Sequence, residues 1–350
     1  MAGLRLDLFI KSSIYSFGIL SAGLILIWVY LKGFLKLNII LVLLIALTVF
    51  DLTRVNDNHL KPESLVKEAS ILREFPTQPT DTFLLEDEEQ FRIYPFHEFS
   101  SSRWSYYHQT IGGYHGAKLG RYQDLIEGRS GSLYAELSAG VPINWNFLNM
   151  LNVKYIIFDG RVSIPQSLVE LAYIDRETNN FVYLNNGYLP RAWFVQNQEF
   201  LGDKSKIILR LNDPDFNPKQ TVILESEVPP FSYNDDFEIE MLEKDIHSAK
   251  WRTVNNADAF LVISEMYYPA GWNAYINVEK TTIYPANYIL RGISVPAGDN
   301  IIEMKFEPVI YKTSIILSCI GLLAAIMLTI YGLIVYYQKN YGQGIVYKIR

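Results

Sequence analysis

The run Thr313–Tyr337, TSIILSCIGLLAAIMLTIYGLIVYY, is 25 residues long and carries no charged side chain. Two further uncharged runs lie near the amino terminus, Ile14–Leu31 (IYSFGILSAGLILIWVYL) and Leu37–Phe50 (LNIILVLLIALTVF). About 20 apolar residues in a helix are needed to cross the hydrocarbon core of a bilayer. The three runs therefore predict three transmembrane helices, the first two joined as a hairpin by the turn 32–36. A cleavable signal peptide is the alternative for the first run, but a second apolar run follows at once and no small-residue cleavage site separates them from the polar chain.

The three apolar runs contain no Asp, Glu, Lys, Arg or His. Ion pathways and proton relays inside membranes nearly always use such side chains. We therefore interpret the three helices as anchors, or as packing partners for other helices, and not as the core of a transporter.

The charged residues are distributed unevenly along the 350 residues of the chain. Residues 51–312 hold 24 Lys and Arg against 36 Asp and Glu, whereas the two ends together hold 7 against 1. Lys and Arg accumulate in short loops on the cytoplasmic side of a membrane. Because the cationic turn 32–36 and the tail 338–350 lie across the membrane from 51–312, we expect 51–312 on the extracytoplasmic side of the membrane. The net charge of −6 excludes a basic nucleic-acid-binding protein.

Candidate metal ligands and catalytic motifs are scarce. The single cysteine, Cys319, lies inside the last apolar run, and none of the five histidines has metal-ligand spacing to another His or Cys. The sequence also lacks a nucleophile elbow, a Walker loop and a zinc-protease motif. We expect no metal, no cofactor and no complete catalytic site in this chain.

The segment between the membrane runs divides into three stretches. Residues 51–90 form a helical and Pro-rich connector, with an apolar pattern at Leu65, Ile71 and Leu72, and residues 91–215 mix strands and helices. Residues 216–312 contain short strands between turns, which favours a β-sandwich. The predicted fold class is a membrane-anchored α+β protein, in which two N-terminal transmembrane helices (1–50) and one C-terminal helix (313–337) flank an extracytoplasmic mixed α/β region followed by a β-sandwich.

Individual elements are predicted from local pattern. In the mixed stretch, Ala117–Ile126 and Pro165–Leu171 are predicted helices. Strands are predicted over Phe91–Tyr94, Val153–Phe158, Phe181–Leu184, Thr221–Leu224, Phe237–Met241, Ala259–Ser264, Trp272–Val278, Tyr288–Val295 and Asn300–Phe306.

Several strings, taken in order, carry a family resemblance. They are DLTRVN (51–56), SYYHQTIGGYHGAK (105–118), RYQD (121–124), LNMLNVKYII (148–157), LPRAWFV (189–195), SEMYYPAGW (264–272), NYILRG (287–292) and PAG (296–298). Together they resemble the C-terminal portion of the YfhO family of bacterial membrane proteins, and the resemblance covers nearly the whole chain. One departure is Ile276-Asn277-Val278-Glu279, where the family tends to have an Asp-Gly turn.

The resemblance implies a function of the GT-C glycosyltransferase type. Family members are implicated in moving sugars from a polyprenyl-phosphate carrier to cell-surface polymers, and their catalytic acids are expected in an early exterior loop. We therefore expect this chain to be the C-terminal or accessory part of such an enzyme, without its catalytic region. The implied partners are the lipid bilayer, an upstream polytopic membrane subunit, and a polyprenyl-phosphate sugar or an envelope glycan.

The first candidate site surrounds the turn Gly112-Gly113. A glycine turn that leads into a helix offers backbone N–H groups to an anion, and His115, Lys118 and Arg121 follow within two helical turns. The pattern allows a phosphate contact, but a glycine turn alone is a weak signal, and a tight turn with surface cations is the favoured alternative. Aromatic side chains that suit stacking on a sugar crowd the same stretch, at Trp104, Tyr106, Tyr107 and Tyr114.

The second candidate site is the aromatic group Tyr267, Tyr268 and Trp272. Sugar binding and ordinary packing of aromatic residues in a strand–turn–strand unit both account for it. The alternative to a transferase part is a non-enzymatic, membrane-anchored module that binds glycans or serves assembly of the cell envelope.

Overall fold

The computed structural model describes residues 2–59, 75–114, 116–127, 144–233 and 235–341. The chain forms two compact units, Met1–Pro76 and Thr77–Arg350. The predicted helical pattern at Leu65, Ile71 and Leu72, the residue His115, and the tail beyond residue 341 lie outside the described residues.

The first unit is a helical hairpin of α1 (Ala2–Leu31) and α2 (Leu37–His59). The turn between them uses Gly33 with a φ of 75°, a conformation that glycine adopts without a steric penalty. Gly23 lies close to Leu47 of the facing helix. At the open end of the hairpin the Arg54 guanidinium carbon is 3.6 Å from the ring centroid of Tyr15. These contacts confirm the predicted antiparallel pair.

Three helices are long and apolar enough to cross a membrane. They contain the spans Ser12–Leu31, Leu37–Arg54 and Val309–Lys339, the last within α8 (Val309–Tyr341). The second span has 18 residues, more than its uncharged core, because α2 continues without interruption past Phe50. Side chains along all three spans are largely exposed, as expected for helices whose solvent is lipid. The prediction of three helices that are long and apolar enough to cross a membrane, two near the amino terminus and one near the carboxyl terminus, is confirmed.

The second unit begins with a mixed region built on a four-stranded sheet. The strands β1 (Arg92–Pro95), β2 (Val153–Asp159), β3 (Val169–Asp175) and β4 (Asn180–Asn185) are arranged in the order β1-β2-β4-β3. Strands β1 and β2 are parallel, and the other two pairs are antiparallel. Short helices surround the sheet: α3 (Pro79–Leu85), α4 (Ser102–Tyr107), α5 (Gly120–Glu127) and α6 (Trp145–Met150).

A six-stranded sheet lies next along the chain, and α7 (Lys204–Leu211) is inserted between two of its strands. Its strand order is β5-β10-β14-β13-β7-β6. The strands are β5 (Ala192–Phe194), β6 (Asn197–Phe200), β7 (Thr221–Leu224), β10 (Ala259–Met266), β13 (Tyr284–Ala286) and β14 (Leu290–Val295). Because β5 and β6 pair into this sheet, the sheet begins before residue 216, where the sequence pattern places the start of the sandwich.

A five-stranded antiparallel sheet completes the second unit, in the order β12-β11-β15-β9-β8. Its strands are β8 (Phe237–Lys244), β9 (Ser248–Asn255), β11 (Trp272–Ile276), β12 (Glu279–Thr281) and β15 (Gly298–Phe306). Strand β15 ends three residues before α8 begins.

The two larger sheets pack face to face. Leu261 and Ile263 of β10 share one apolar core with Trp251 of β9 and Ile302 of β15. The alternate residues of β10, Phe260 and Val262, belong to a second core that includes the mixed region. Since β10 is covered on both faces, its first six residues, AFLVIS, form a continuous buried run without alternation.

Two predicted helices differ in the structure. Helix α5 begins at Gly120 and not at Ala117, so the prediction of a helix entered directly from Gly112-Gly113 was wrong. Residues 165–168 form a turn, and strand β3 begins at Val169, where the sequence predicts the end of a helix. Residues 169–175 form a strand because β4 pairs with them along their length in antiparallel orientation, with one register shift between Leu171 and Tyr173.

The predicted strand Trp272–Val278 is a strand followed by a tight hairpin turn at Asn277-Val278. The φ angles of these two residues are 49° and 77°, the left-handed pair that a two-residue hairpin requires. Val278 is 90% exposed, and a β-branched residue in this conformation is strained. The Asn277 side chain supports the turn by accepting the Ile301 N–H at 2.8 Å.

Candidate functional site

The backbone N–H groups of the Gly112-Gly113 turn form hydrogen bonds within the protein. The Gly112 N–H donates to the Thr110 hydroxyl at 3.1 Å, and the Gly113 N–H donates to the Phe99 carbonyl at 2.6 Å. Both groups are therefore used within the protein, and the helix that would add a favourable dipole starts seven residues later, at Gly120. Lys118 lies with the two glycines along a small cavity of about 180 Å³, but the backbone donors expected for a phosphate are already engaged.

Arg121 links the first predicted group to the second. Its guanidinium forms a bidentate ion pair with Glu225, donates to the Tyr288 carbonyl at 2.8 Å, and lies 5.4 Å from the ring centroid of Tyr267. The hydrogen bond to Glu225 raises the pKa of Arg121. Since Nη1 and Nη2 of Arg121 both donate to these groups, Arg121 connects α5 to the loop before β14.

Some aromatic residues of the first group lie in the core and others lie on the surface. Trp104 is 2% exposed and donates its indole N–H to Glu98. Tyr106 and Tyr107 contact each other edge to face with centroids 4.8 Å apart, and Tyr114 is 84% exposed. The structure thus does not bring this group together as one stacking platform.

The second group does line a common cavity. Tyr267, Tyr268 and Trp272 border a space of about 230 Å³, which we call the Trp272 cavity. The other lining residues are Pro269, Asn273, Lys280, Thr281, Thr282, Ile283 and Arg291. The loop before β11 supplies one wall, the β11–β12 hairpin another, and β14 supplies Arg291.

Arg291 is the best-defined polar group of the Trp272 cavity. It is 4% exposed, and its guanidinium carbon lies 3.9 Å from the ring centroid of Trp272. Nε donates to the Met266 carbonyl at 2.9 Å, and Nη1 contacts the Met304 sulfur at 3.5 Å. Nη2 has no hydrogen-bond partner in the described part of the chain. A buried cation with an unused donor therefore lies along the cavity, and Lys280 adds a second cation.

A partly buried ion cluster lies close to this cavity. It is formed by Arg92, Arg191, Lys244 and Glu265, and we call it the Glu265 cluster. Lys244 Nζ is 2.8 Å from Glu265 Oε1, Arg191 Nη1 is 3.3 Å from the same oxygen, and Arg92 Nη2 is 3.4 Å from Oε2. Three cations thus share one carboxylate. The cluster joins β1 of the mixed region to β10 of the six-stranded sheet.

The pKa values reflect this crowding of positive charge. Burial raises the pKa of Glu265, but the nearby Arg92, Lys244 and Arg191 outweigh it and lower the pKa to about 2. Burial, together with repulsion from Arg92, lowers the pKa of Arg191 to about 9 and that of Arg291 to about 10. Both arginines remain protonated at neutral pH, so the Trp272 cavity lies against a region of surplus positive charge.

The Trp272 cavity lies close in sequence and structure to the last membrane helix. Trp272 pairs with Phe306 across the sheet, and the Glu307 N–H donates to the Gly271 carbonyl. Helix α8 begins at Val309, three residues after Phe306, which is at most about 10 Å of extended chain. A ligand in this cavity is thus held near the point where the chain enters the membrane span.

Sequence reasoning missed Arg291, Lys280 and Glu265. Arg291 and Glu265 lie within the strings NYILRG and SEMYYPAGW, next to the aromatic residues that were selected. Their local sequence carries no sign that the packing of two sheets places Arg291 on Trp272. In the described residues no group of three His, Cys, Asp or Glu side chains lies close enough together to hold a metal ion.

The three apolar helices and the sheets are those of a membrane-anchored α+β fold, and the Trp272 cavity is lined by cations and aromatic rings. Comparisons with protein-family models, curated proteins and solved structures gave no match to this chain.

Proposed function

We propose that the Trp272 cavity binds the phosphate and first sugar of a polyprenyl-phosphate-linked sugar at the outer face of the bacterial cytoplasmic membrane. The observation that carries the proposal is the buried Arg291 stacked on Trp272, with Lys280 beside it and the start of α8 three residues from the paired Phe306.

The charge of the cavity favours an anionic ligand. Its lining includes two cations and no acid, and the Glu265 cluster contributes three further cations against one carboxylate. Arginine suits phosphate because its planar fork of donors matches phosphate oxygens. The Tyr267, Tyr268 and Trp272 rings supply apolar surface for a sugar, and the tyrosine hydroxyls supply polar groups at its edge.

We place this pocket in the accessory, C-terminal part of a YfhO-like membrane glycosyltransferase. In this proposal the catalytic carboxylate belongs to an upstream polytopic membrane subunit, and this chain positions the lipid-linked sugar. The resemblance of the strings around the pocket supports that assignment. Co-purification of the upstream product with this chain from membranes tests the partnership.

A second candidate function is a glycan-binding or structural module of the cell envelope that acts without a catalytic partner. One observation favours it: all ten lining residues of the Trp272 cavity fall within 267–291. The pocket is thus complete within one segment of this chain.

Calorimetric titration of the full-length protein in detergent with farnesyl phosphate tests the pocket. We expect farnesyl phosphate to bind at least 10-fold more tightly than farnesol, because only the phosphate meets Arg291 and Lys280. Trp272→Ala and Lys280→Ala should each weaken farnesyl phosphate binding several-fold, while Lys219→Ala, a change of an exposed lysine elsewhere, leaves it unchanged. Equal binding of the two probes, or no effect of either pocket variant, contradicts the proposal.

The proposed orientation is tested with a membrane-impermeant maleimide on spheroplasts, in a Cys319→Ser background. Glu227 is exposed on the surface of the second unit, and Lys339 is the carboxyl-terminal residue of the last span. Glu227→Cys and Lys339→Cys therefore introduce cysteines at these two places. We expect the first to be labelled in intact spheroplasts and the second only after permeabilisation. The reverse pattern would place residues 77–308 in the cytoplasm.

A further inference from the structure

The carboxyl ends of two parallel strands meet in the mixed region. Strands β1 and β2 pair in parallel, with Pro95 opposite Ile157. His97 and Glu98 follow the end of β1, and Asp159 ends β2. Because the two strands run in the same direction, these three side chains lie at the same edge of the sheet.

A cavity of about 220 Å³ occupies this edge, and we call it the His97 cavity. Its lining residues are Gln78, Pro95, His97, Glu98, Trp104, Ile157, Asp159, Thr178 and Asn180. None of these nine residues lines the Trp272 cavity. The lining contains two carboxylates and no Lys or Arg, so its charge is opposite to that of the Trp272 cavity.

Hydrogen bonds within the protein already occupy some polar atoms of the residues that line the His97 cavity, and the remaining atoms are available to a ligand. His97 Nδ1 accepts the Asp159 backbone N–H at 3.1 Å, so the neutral ring carries its proton on Nε2 and donates from there. Glu98 Oε2 accepts from Trp104, and Asp159 Oδ1 accepts from Asn179 at 2.9 Å. Asn180 donates its amide to the Thr80 hydroxyl at 3.3 Å.

Five polar atoms of the lining residues then have no hydrogen-bond partner in the described part of the chain. Three are acceptors (Glu98 Oε1, Asp159 Oδ2 and Asn180 Oδ1), and two are donors (His97 Nε2 and Gln78 Nε2). His97, Glu98 and Asp159 are exposed, so these atoms are open to a ligand that enters from solvent. A lining with both acceptors and donors suits a ligand that offers both, and the two carboxylates repel an anion. The hydroxyl groups of a saccharide meet this requirement, because each one donates and also accepts.

An organic cation fits the site less well. The Trp104 ring, which would attract a cation, already has the Arg103 guanidinium 4.6 Å from its centroid. Metal binding is also disfavoured, because no cluster of three ligating side chains was found among the residues that the structure describes.

We infer that the His97 cavity is a second binding site, specific for an uncharged saccharide. This inference goes beyond the proposed function: one cavity holds an anionic, lipid-linked ligand, and the other holds a neutral sugar unit such as an incoming glycan presents. Hydrogen bonds from the sugar to Glu98, Asp159 and Asn180 would set its orientation, with His97 Nε2 donating to a sugar oxygen.

Ligand-observed NMR titrations on the full-length protein in detergent test the inference. The probes are the methyl glycosides of glucose, galactose, mannose and N-acetylglucosamine, together with glucuronic acid and glucosamine as anionic and cationic counterparts. We expect saturable binding of at least one neutral glycoside, and at least 10-fold weaker binding of glucuronic acid.

Variants locate the binding. Asp159→Asn, Glu98→Gln and Asn180→Ala should each weaken binding of the neutral glycoside at least 5-fold, and the first two preserve side-chain shape. Asp215→Asn, which changes an exposed carboxylate outside the cavity, serves as the matched control, and Trp272→Ala should leave this binding unchanged. The inference is overturned if no neutral probe saturates, if glucosamine alone binds, or if all three cavity variants bind like wild type. The proposed function of the Trp272 cavity is measured with farnesyl phosphate, and the inference for the His97 cavity is measured with neutral glycosides. A negative result in one assay therefore does not contradict the other proposal.

Discussion

Glu265→Gln is expected to lower the free energy of unfolding by about 3 kcal/mol, the lower end of the range found when one partner of a buried ion pair is removed, because the Glu265 side chain is partly exposed. The carboxylate of Glu265 neutralises part of the charge of Arg92, Arg191 and Lys244. Glutamine preserves the shape but leaves the buried Arg92 and Arg191 and the partly exposed Lys244 without a counter-charge. Urea unfolding of the detergent-solubilised chain, followed by tryptophan fluorescence, measures the loss.

The pH dependence provides an independent check on the same residue. The pKa of Glu265 is lowered from 4.5 to about 2, so its contribution to stability is complete above pH 4.5 and is lost as the pH falls toward 2. A shift of this size corresponds to about 3 kcal/mol. The difference in stability between wild type and Glu265→Gln should therefore shrink over this pH range.

Glu227→Gln, the same change at an exposed glutamate, is the control and should cost less than about 0.5 kcal/mol. A loss at Glu265 as small as this would mean that the three cations are neutralised by other groups.

Gly112→Ala is expected to destabilise the protein by about 3 kcal/mol, at the upper end of the usual cost of overpacking. A Cβ at this position would lie 2.1 Å from the carbonyl oxygen of Phe99 and 3.0 Å from its carbonyl carbon. The backbone of Phe99 cannot move away freely, because its carbonyl accepts the Gly113 N–H. The change therefore breaks a hydrogen bond as well as creating a clash.

Gly116→Ala is the matched control, since a Cβ there meets nothing within 4 Å. It should change stability by less than about 0.5 kcal/mol, as measured by the same urea unfolding. If Gly112→Ala is as stable as wild type, the close packing of this turn against Phe99 does not persist in solution. The backbone N–H groups of the turn would then be available to a phosphate, as the sequence pattern allows.

Much of the sheet structure was predictable from local pattern, and the exceptions have physical causes. Strand β9 was missed because its buried face includes Thr253 and Asn255 beside Trp251. Polar residues on a buried face hide the alternation of apolar and polar positions that indicates a strand. Strands β5 and β12 have only three residues each, too few for a periodic signal, and exist because neighbouring strands pair with them.

The candidate site was predictable only in part. The aromatic group Tyr267, Tyr268 and Trp272 was found from sequence, and the structure places all three along one cavity. The glycine turn was also visible, but its N–H groups are consumed by Thr110 and Phe99. A sequence shows which donors exist, whereas their availability depends on contacts that form only on folding.

The sequence by itself determined the three membrane helices, because hydrophobic transfer into lipid depends on the composition of a continuous run of some 20 residues. It also determined the positions of many strands, through alternation and turn residues. Only the tertiary structure decided the charge of the two cavities. Arg92 and Glu265 are 173 residues apart, and Arg291 reaches Trp272 through the packing of two sheets. Electrostatic interaction depends on distance in space, which the order of residues along the chain does not contain.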